Sequence, residues 1–149
     1  MDSNYAIKPG GPIDRARLVK FMHRTYQEIF PGGDFSHLAQ TVENHLSRDT
    51  PLWWAFLPGE TMPVAGLWMG TAIDQVRGDR YSHIFLLYVE PDHRRRGLAT
   101  KLMAAAEAWA RARGDRQLGL QVFLVNGGAI ALYESLGFGV QSISMVKEI

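Results

Sequence analysis

At 149 residues and 16.7 kDa the chain has the size of one domain and buries about two-thirds of its unfolded surface on folding, so it needs no covalent staples. Its 46% hydrophobic and 21% charged residues exclude a disordered or collagen-like polymer, and its lack of cysteine excludes a disulfide scaffold, a thiolate metal site, an iron–sulfur cluster and a cysteine nucleophile. The net charge of +1 hides an uneven distribution: between Asp92 and Arg116 seven Lys or Arg stand against three acids, a local excess of +4 that suits a small anionic ligand better than a nucleic acid.

The first residues lack a basic segment followed by an apolar stretch. The longest apolar runs, such as Leu52 to Leu57 and Ile84 to Val89, are too short for a bilayer. The expectation is a cytoplasmic protein with no membrane association.

Tyr5 to Lys8 reads as an opening strand, and the Pro9–Pro12 turn leads into a helix from Ile13 to Phe30. Leu18, Phe21, Met22, Thr25 and Ile29 recur there at helical spacing, and Pro31, Gly32 and Gly33 stop it. A second helix spans Ser36 to Arg48. Strands Leu52 to Leu57 and Val64 to Val76 suit an antiparallel hairpin, and Ser82 to Val89, apolar on both faces, suits a central strand. A helix from Gly97 to Arg113 carries Leu98, Leu102, Ala105, Ala106 and Trp109 on one stripe, with Gly114 as its stop. Strand Leu118 to Leu124, helix Gly127 to Leu136 and a last strand from Phe138 complete the order. No repeat or linker interrupts it, so residues 1–149 read as a single domain.

The stretch from Tyr88 to Leu102 joins the central strand to a helix through the turn Arg94-Arg95-Arg96-Gly97. Free backbone N–H groups and the positive end of a helix make such a turn an anion site. The bland alternative is a solvated basic loop. Neither a P-loop nor the glycine series of a dinucleotide fingerprint is present.

Arg94-x-x-Gly97-x-Ala99 resembles the Q/R-x-x-G-x-G/A signature of the GNAT superfamily of N-acyltransferases. The resemblance extends to the opening strand at Tyr5–Pro9, to Val89-Glu-Pro-Asp-His93, and to Asn126 through Phe138. The C-terminal half is most similar to bacterial ribosomal-protein N-terminal alanine acetyltransferases. It implies an α/β fold, a mixed twisted sheet with helices on both faces, and acetyl transfer from acetyl-CoA to a primary amine of a small molecule or peptide, with no metal and with no nucleic acid as partner. A homodimer is compatible with it. A non-catalytic acyl-CoA-binding or regulatory domain is the alternative.

By that resemblance Leu87, Tyr88 and Val89 face the pantetheine and thioester. The phosphates fall to Arg94, Arg95, Arg96, Gly97, Leu98, Ala99 and Thr100. Asn126 and Ala129 meet the pantetheine arm, and Tyr133 donates a proton to the departing thiolate. Asn126 and Tyr133, seven residues apart, lie on nearly the same helix face; read without the family, they are an N-cap and a packed aromatic. The relatives' strand glutamate, five residues before the Asn, is Gln121 here, which cannot take a proton. In the histone acetyltransferases the base stands fourteen residues before the signature glycine, which is His83 in this chain; Glu90 is the weaker candidate and water a third. Trp53, Trp54 and Trp68 read more readily as core than as an acceptor wall, and Glu28, Asp34 and Asp74 as solvated acids. Only thirteen residues follow Leu136, so the family's C-terminal hairpin is short or missing and the acceptor pocket is open or closed by a partner subunit.

Overall fold

The computed structural model describes residues 4–149. One sheet, in the order β1-β2-β3-β4-β5, is built from β1 (Ala6–Pro9), β2 (Leu52–Phe56), β3 (Ala65–Ile73), β4 (Arg80–Val89) and β5 (Leu118–Leu120). The first four strands are antiparallel neighbours, whereas β4 and β5 run parallel, so the sheet is mixed. A parallel step needs a crossover, and α3 (Leu98–Arg113) supplies it. Helices α1 (Arg15–Ile29) and α2 (Leu38–His45) precede β2, and α4 (Gly127–Ser135) follows β5.

The sheet separates two cores. On one face Leu18, Phe21 and Met22 of α1 and Leu38 and Val42 of α2 close over Leu52, Trp54, Trp68, Leu86 and Tyr88. On the other, Leu98, Leu102, Met103 and Ala106 of α3 cover Ala55, Ala65, Leu67, Met69 and Ile84, with Tyr133 and Leu136 of α4 packed at the margin. Each fully buried large apolar side chain contributes about 1.5–3 kcal/mol. Trp54 and Trp68 are therefore core residues, at 2% and 1% exposure.

Ser82 and Ile84 point to the α3 side, yet Leu86 and Tyr88 point to the α1 side. Strict alternation forbids that, and the reason is a break in the ladder, where Trp68 pairs with Leu86 and Met69 with Ile84. Phe85 is the extra residue of a β-bulge. Its ring lies 4.8 Å from Trp68 and 5.8 Å from His83. Gly70 leaves room for it, since a Cβ there would stand 2.5 Å from the Phe85 ring.

Three expectations need correction. The strand expected over Leu118 to Leu124 ends at Leu120, because β4 no longer runs beside it. The helix expected from Ser36 to Arg48 shortens to Leu38–His45, with the Leu46 backbone extended. The last strand from Phe138 is absent: the residues from 139 onward have no regular structure and are exposed. Gly137 takes a left-handed turn at φ +98°, and the Phe138 N–H bonds the Tyr133 carbonyl at 3.0 Å, which holds the chain at the end of α4 instead of along β5.

Candidate active site

Strands β4 and β5 are paired only from Ser82↔Leu118 to Ile84↔Leu120. Beyond that point β4 continues to Val89 with no neighbour among the described residues on its outer side, so the sheet opens into a wedge just after the bulge. The Glu90 N–H donates to the Val64 carbonyl at 2.8 Å, which fixes the phase of the β3–β4 ladder. By alternation the backbone groups of Tyr88 are spent on β3, while those of Leu87 and Val89 face the wedge. The Val89 carbonyl there accepts from Arg94 Nε at 2.8 Å.

The basic turn lies at the end of this wall. Arg95 and Gly97 both adopt left-handed backbone, φ +62° and +78°. The first helical bond of the turn runs from Lys101 N–H to the Gly97 carbonyl at 3.0 Å, so the N–H groups of Leu98, Ala99 and Thr100 precede the hydrogen-bonded ladder of α3. Apart from its own chain neighbours, no atom of the described residues lies within 4 Å of where a Gly97 Cβ would stand. The turn thus offers amide donors, a helix N-terminus and open space, the features a diphosphate requires. Gly97→Ala forces a left-handed alanine at a cost of about 1–2 kcal/mol. Its expected result is a five- to tenfold rise in KM for acetyl-CoA, read in steady-state kinetics.

The three arginines of the turn are used differently. Arg94 Nη2 bonds Glu28 Oε1 of α1 at 2.6 Å, and its guanidinium lies over the Tyr88 ring at 5.5 Å. Glu28 holds this side chain more firmly charged than usual, so Arg94 ties the turn to α1 rather than extending toward a ligand. Arg96 reaches the Tyr5 hydroxyl, which also bonds His93 Nδ1 at 2.8 Å. Arg95 is exposed.

Across the wedge, Asn126 caps α4, with its Oδ1 accepting from the Ala129 N–H at 3.2 Å. The amide group of Asn126 keeps its donor end for a ligand. Tyr133 lies two turns further on, half-buried against Phe138 with ring centroids 5.9 Å apart. Burial pushes its phenol pKa above the ordinary value.

His83 is half-buried on β4 opposite Gly119, between Tyr81 and Phe85. Its Nδ1 is buried without a hydrogen-bond partner, and desolvation lowers its pKa from the ordinary imidazole value, which favours the neutral ring. Glu90 is already engaged, accepting from Arg24 and from the Tyr88 hydroxyl. Gln121 lies exposed, just past the end of β5.

One feature at the wedge mouth has no signal in the sequence. The segment after β5 places Phe123 against Phe30 of the first helix's end, with ring centroids 5.0 Å apart, and 6.4 Å from Tyr26. Phe30 and Phe123 remain partly exposed and form an aromatic wall at the C-terminal end of α1.

The chain is matched over residues 18–138 by the model of the Acetyltransferase (GNAT) family. It is 26% identical over 143 residues to the aminoglycoside N(6')-acetyltransferase type 1 of Klebsiella aerogenes, covering 93% of this chain and 91% of that one. It is 42% identical over 72 residues to the ribosomal-protein alanine N-acetyltransferase of Escherichia coli, a match confined to 48% of each chain. Among solved structures, AAC(6')-Iy bound to the bisubstrate analogue CoA-S-monomethyl-acetylneamine shares the fold, with a TM-score of 0.74, 18% identity and 99% coverage of both chains.

Proposed function

Because the chain belongs to the acetyltransferase (GNAT) family, we propose a division of labour among its own residues for acetyl transfer. The protein is an acetyl-CoA-dependent N-acetyltransferase, a reading that replaces the non-catalytic alternative. The observation that carries the residue assignment is the wedge between β4 and β5, with the backbone of Leu87 and Val89 on one wall and the left-handed turn at its end.

In this proposal the N–H groups from Arg95 to Thr100 hold the pyrophosphate. Leu87, Val89, Asn126 and Ala129 line the pantetheine path, and Tyr88 and Arg94 brace the wall. A strand N–H facing the wedge donates to the thioester oxygen as it becomes an oxyanion. The ammonium group of the acceptor first loses a proton to His83, directly or through water. The free nitrogen then forms a bond to the thioester carbon, the C–S bond breaks, the Tyr133 hydroxyl gives its proton to the leaving thiolate, and the second proton of the nitrogen passes through water to the Tyr133 phenolate. The products are an amide and the CoA thiol.

His83 is preferred to Glu90 as base because its buried Nδ1 has no partner, whereas Glu90 already accepts from two donors. A base whose pKa is depressed by burial stays active down to its own pKa, so the acidic limb of kcat/KM is expected below pH 6.5. His83→Gln removes that limb and lowers kcat/KM by about a hundredfold. A pH profile identical to that of the unaltered enzyme refutes the assignment.

The acceptor is proposed to be an amine of a small molecule or peptide, held against the Tyr26–Phe30–Phe123 wall. The Klebsiella aerogenes relative acts on aminoglycosides by name, which makes polyamino sugars the first class to test. We also propose that the enzyme acts as a homodimer in the cytoplasm, where its donor is supplied; no helix among the described residues is long and apolar enough to cross a membrane. The test is release of the CoA thiol, followed with a thiol reagent over aminoglycosides, polyamines, amino acids and peptides with free N-termini. The protein itself, having no cysteine, gives no background. A signal confined to one class names the acceptor. Silence across the panel, in samples whose acetyl-CoA binding is shown by a thermal shift, refutes the proposed acceptor classes.

A further inference from the structure

His83 stands between two glycines. Along the ladder it pairs with Gly70 of β3 on one side and with Gly119 of β5 on the other. Neither glycine has left-handed backbone, so what the two supply is space. Rings from the neighbouring positions of β4 fill that space. A Cβ on Gly70 would stand 2.5 Å from the Phe85 ring, and one on Gly119 would stand 2.7 Å from the Tyr81 ring. Because Phe85 is the unpaired residue of the bulge, its ring turns over Gly70 instead of facing a partner of its own. Both rings then meet the imidazole, Tyr81 at 6.2 Å with an interplanar angle of 68° and Phe85 at 5.8 Å with 59°. Phe85 is itself backed by Trp68 at 4.8 Å and by His45, the last residue of α2, at 6.0 Å.

A general base has to present one nitrogen at a fixed place. An imidazole is ordinarily fixed by a hydrogen bond at its other nitrogen. His83 lacks that bond, since its Nδ1 is buried without a partner. Its orientation is left to packing, and the packing is aromatic on both sides. The titratable groups that face the cluster are Tyr81 on β4 itself and His45 on α2, while β3 and β5 present glycines there. Burial is the cause of the lowered imidazole pKa, and no charged neighbour contributes to it.

We propose that Tyr81 and Phe85 are positioning residues for the base, their rings seated over Gly119 and Gly70 and clamping the His83 imidazole between them. The inference rests on His83 being the base of the proposed reaction. The two rings limit rotation of the imidazole and keep water from its buried nitrogen, so the free nitrogen meets the acceptor in one place.

The test uses Phe85→Leu, which keeps an apolar side chain and removes the flat ring, and Gly70→Ala, which keeps every ring and puts a methyl group where Phe85 lies. Each is expected to lower kcat/KM for the acceptor about tenfold by misplacing the base, with the KM for acetyl-CoA changed by less than about twofold. Both act through one ring, so the double variant is expected to be no worse than the poorer single one. Water admitted to the imidazole moves the acidic limb of kcat/KM up, toward the ordinary histidine value. The same upward shift is expected in the titration of the His83 imidazole followed by proton NMR, where its resonance is the one missing from His83→Gln. Additive losses in the double variant, or a His83 titration that stays put in Phe85→Leu, overturn the clamp. A titration that moves while the kinetic limb stays put upholds the clamp and refutes His83 as the base. Should dichroism show that either variant fails to fold, Gly119→Ala repeats the measurements from the Tyr81 side at a less buried position, with the same expected and overturning results.

Discussion

Tyr133→Phe lowers turnover by about a hundredfold while the affinity for acetyl-CoA stays within a factor of about two. The change removes one oxygen from a half-buried ring that packs on Phe138 and on the α3-side core, so the packing is kept and the proposed proton donor is lost. Burial holds this phenol above its ordinary pKa. The donor form therefore persists through neutral and alkaline pH, and turnover in the parent enzyme does not fall on its account below about pH 10. Single-turnover rates, with binding followed by fluorescence or calorimetry, separate the two parameters. Equal turnover in the variant eliminates the acid role. A parallel loss of affinity indicates instead that the hydroxyl binds the donor.

The largest effect on stability is expected far from the wedge, at Asp115. Its carboxylate is 1% exposed, and it accepts from Ser82 Oγ at 2.6 Å and Arg113 Nη2 at 2.7 Å. Ser82 is itself wholly buried, and Arg113 goes on to Thr71 Oγ1 at 2.7 Å and lies over the Trp109 ring. One carboxylate thus ties β3, β4 and the end of α3 to the start of β5. Asp115→Ala leaves a buried hydroxyl and a guanidinium without their acceptor, at a cost of about 3–5 kcal/mol. Thermal unfolding is expected to drop by roughly 6–20 °C, since each kcal/mol moves Tm by about 2–4 °C at this size. Asp115→Asn, which keeps one acceptor oxygen, is expected to fall between the two.

The same group sets an acid limit. Burial raises the Asp115 pKa, but the hydrogen bonds from Arg113 and Ser82 and the charges of Arg113 and Arg80 outweigh it, and the net value lies below 3.8. A carboxylate depressed on folding contributes its stability above the unfolded pKa. That contribution is lost as the pH falls from about 4 through the folded value. In Asp115→Ala this part of the acid sensitivity disappears.

Much of this was legible in the sequence where a local rule and the tertiary structure agree. Leu18, Phe21 and Met22 are buried as their spacing predicts, and Gly114 ends α3 in left-handed backbone with its N–H on the Ala110 and Arg111 carbonyls. The signature from Arg94 to Ala99 falls on the turn between β4 and α3, where both left-handed positions occur. What the sequence did not reveal depends on partners remote along the chain. The bulge at Phe85 is a property of the β3–β4 register, and the run from Ile84 to Val89 is apolar with or without it. The use of Arg94 by Glu28, of Glu90 by Arg24, and of Asp115 as a hub joins residues 66, 66 and 33 positions apart. Periodicity says nothing about such pairs. The overlong β5 and the missing last strand share one cause: a strand pattern states what a segment can do, while pairing requires an edge beside it.

The gap between β4 and β5 also ties the enzyme's persistence to its supply of donor. Amide groups that would otherwise meet a neighbouring strand are left to water or to a ligand lying along Leu87 and Val89, so in the proposed binding mode the thioester stands in the place of a strand. Binding to the folded chain alone then adds to stability, by about 2.7 kcal/mol when the free ligand is at a hundred times its dissociation constant. A change of that size alters the unfolded fraction by about a hundredfold, which is the fraction proteases act upon. A cell short of acetyl-CoA would therefore hold less of this protein as well as run it more slowly.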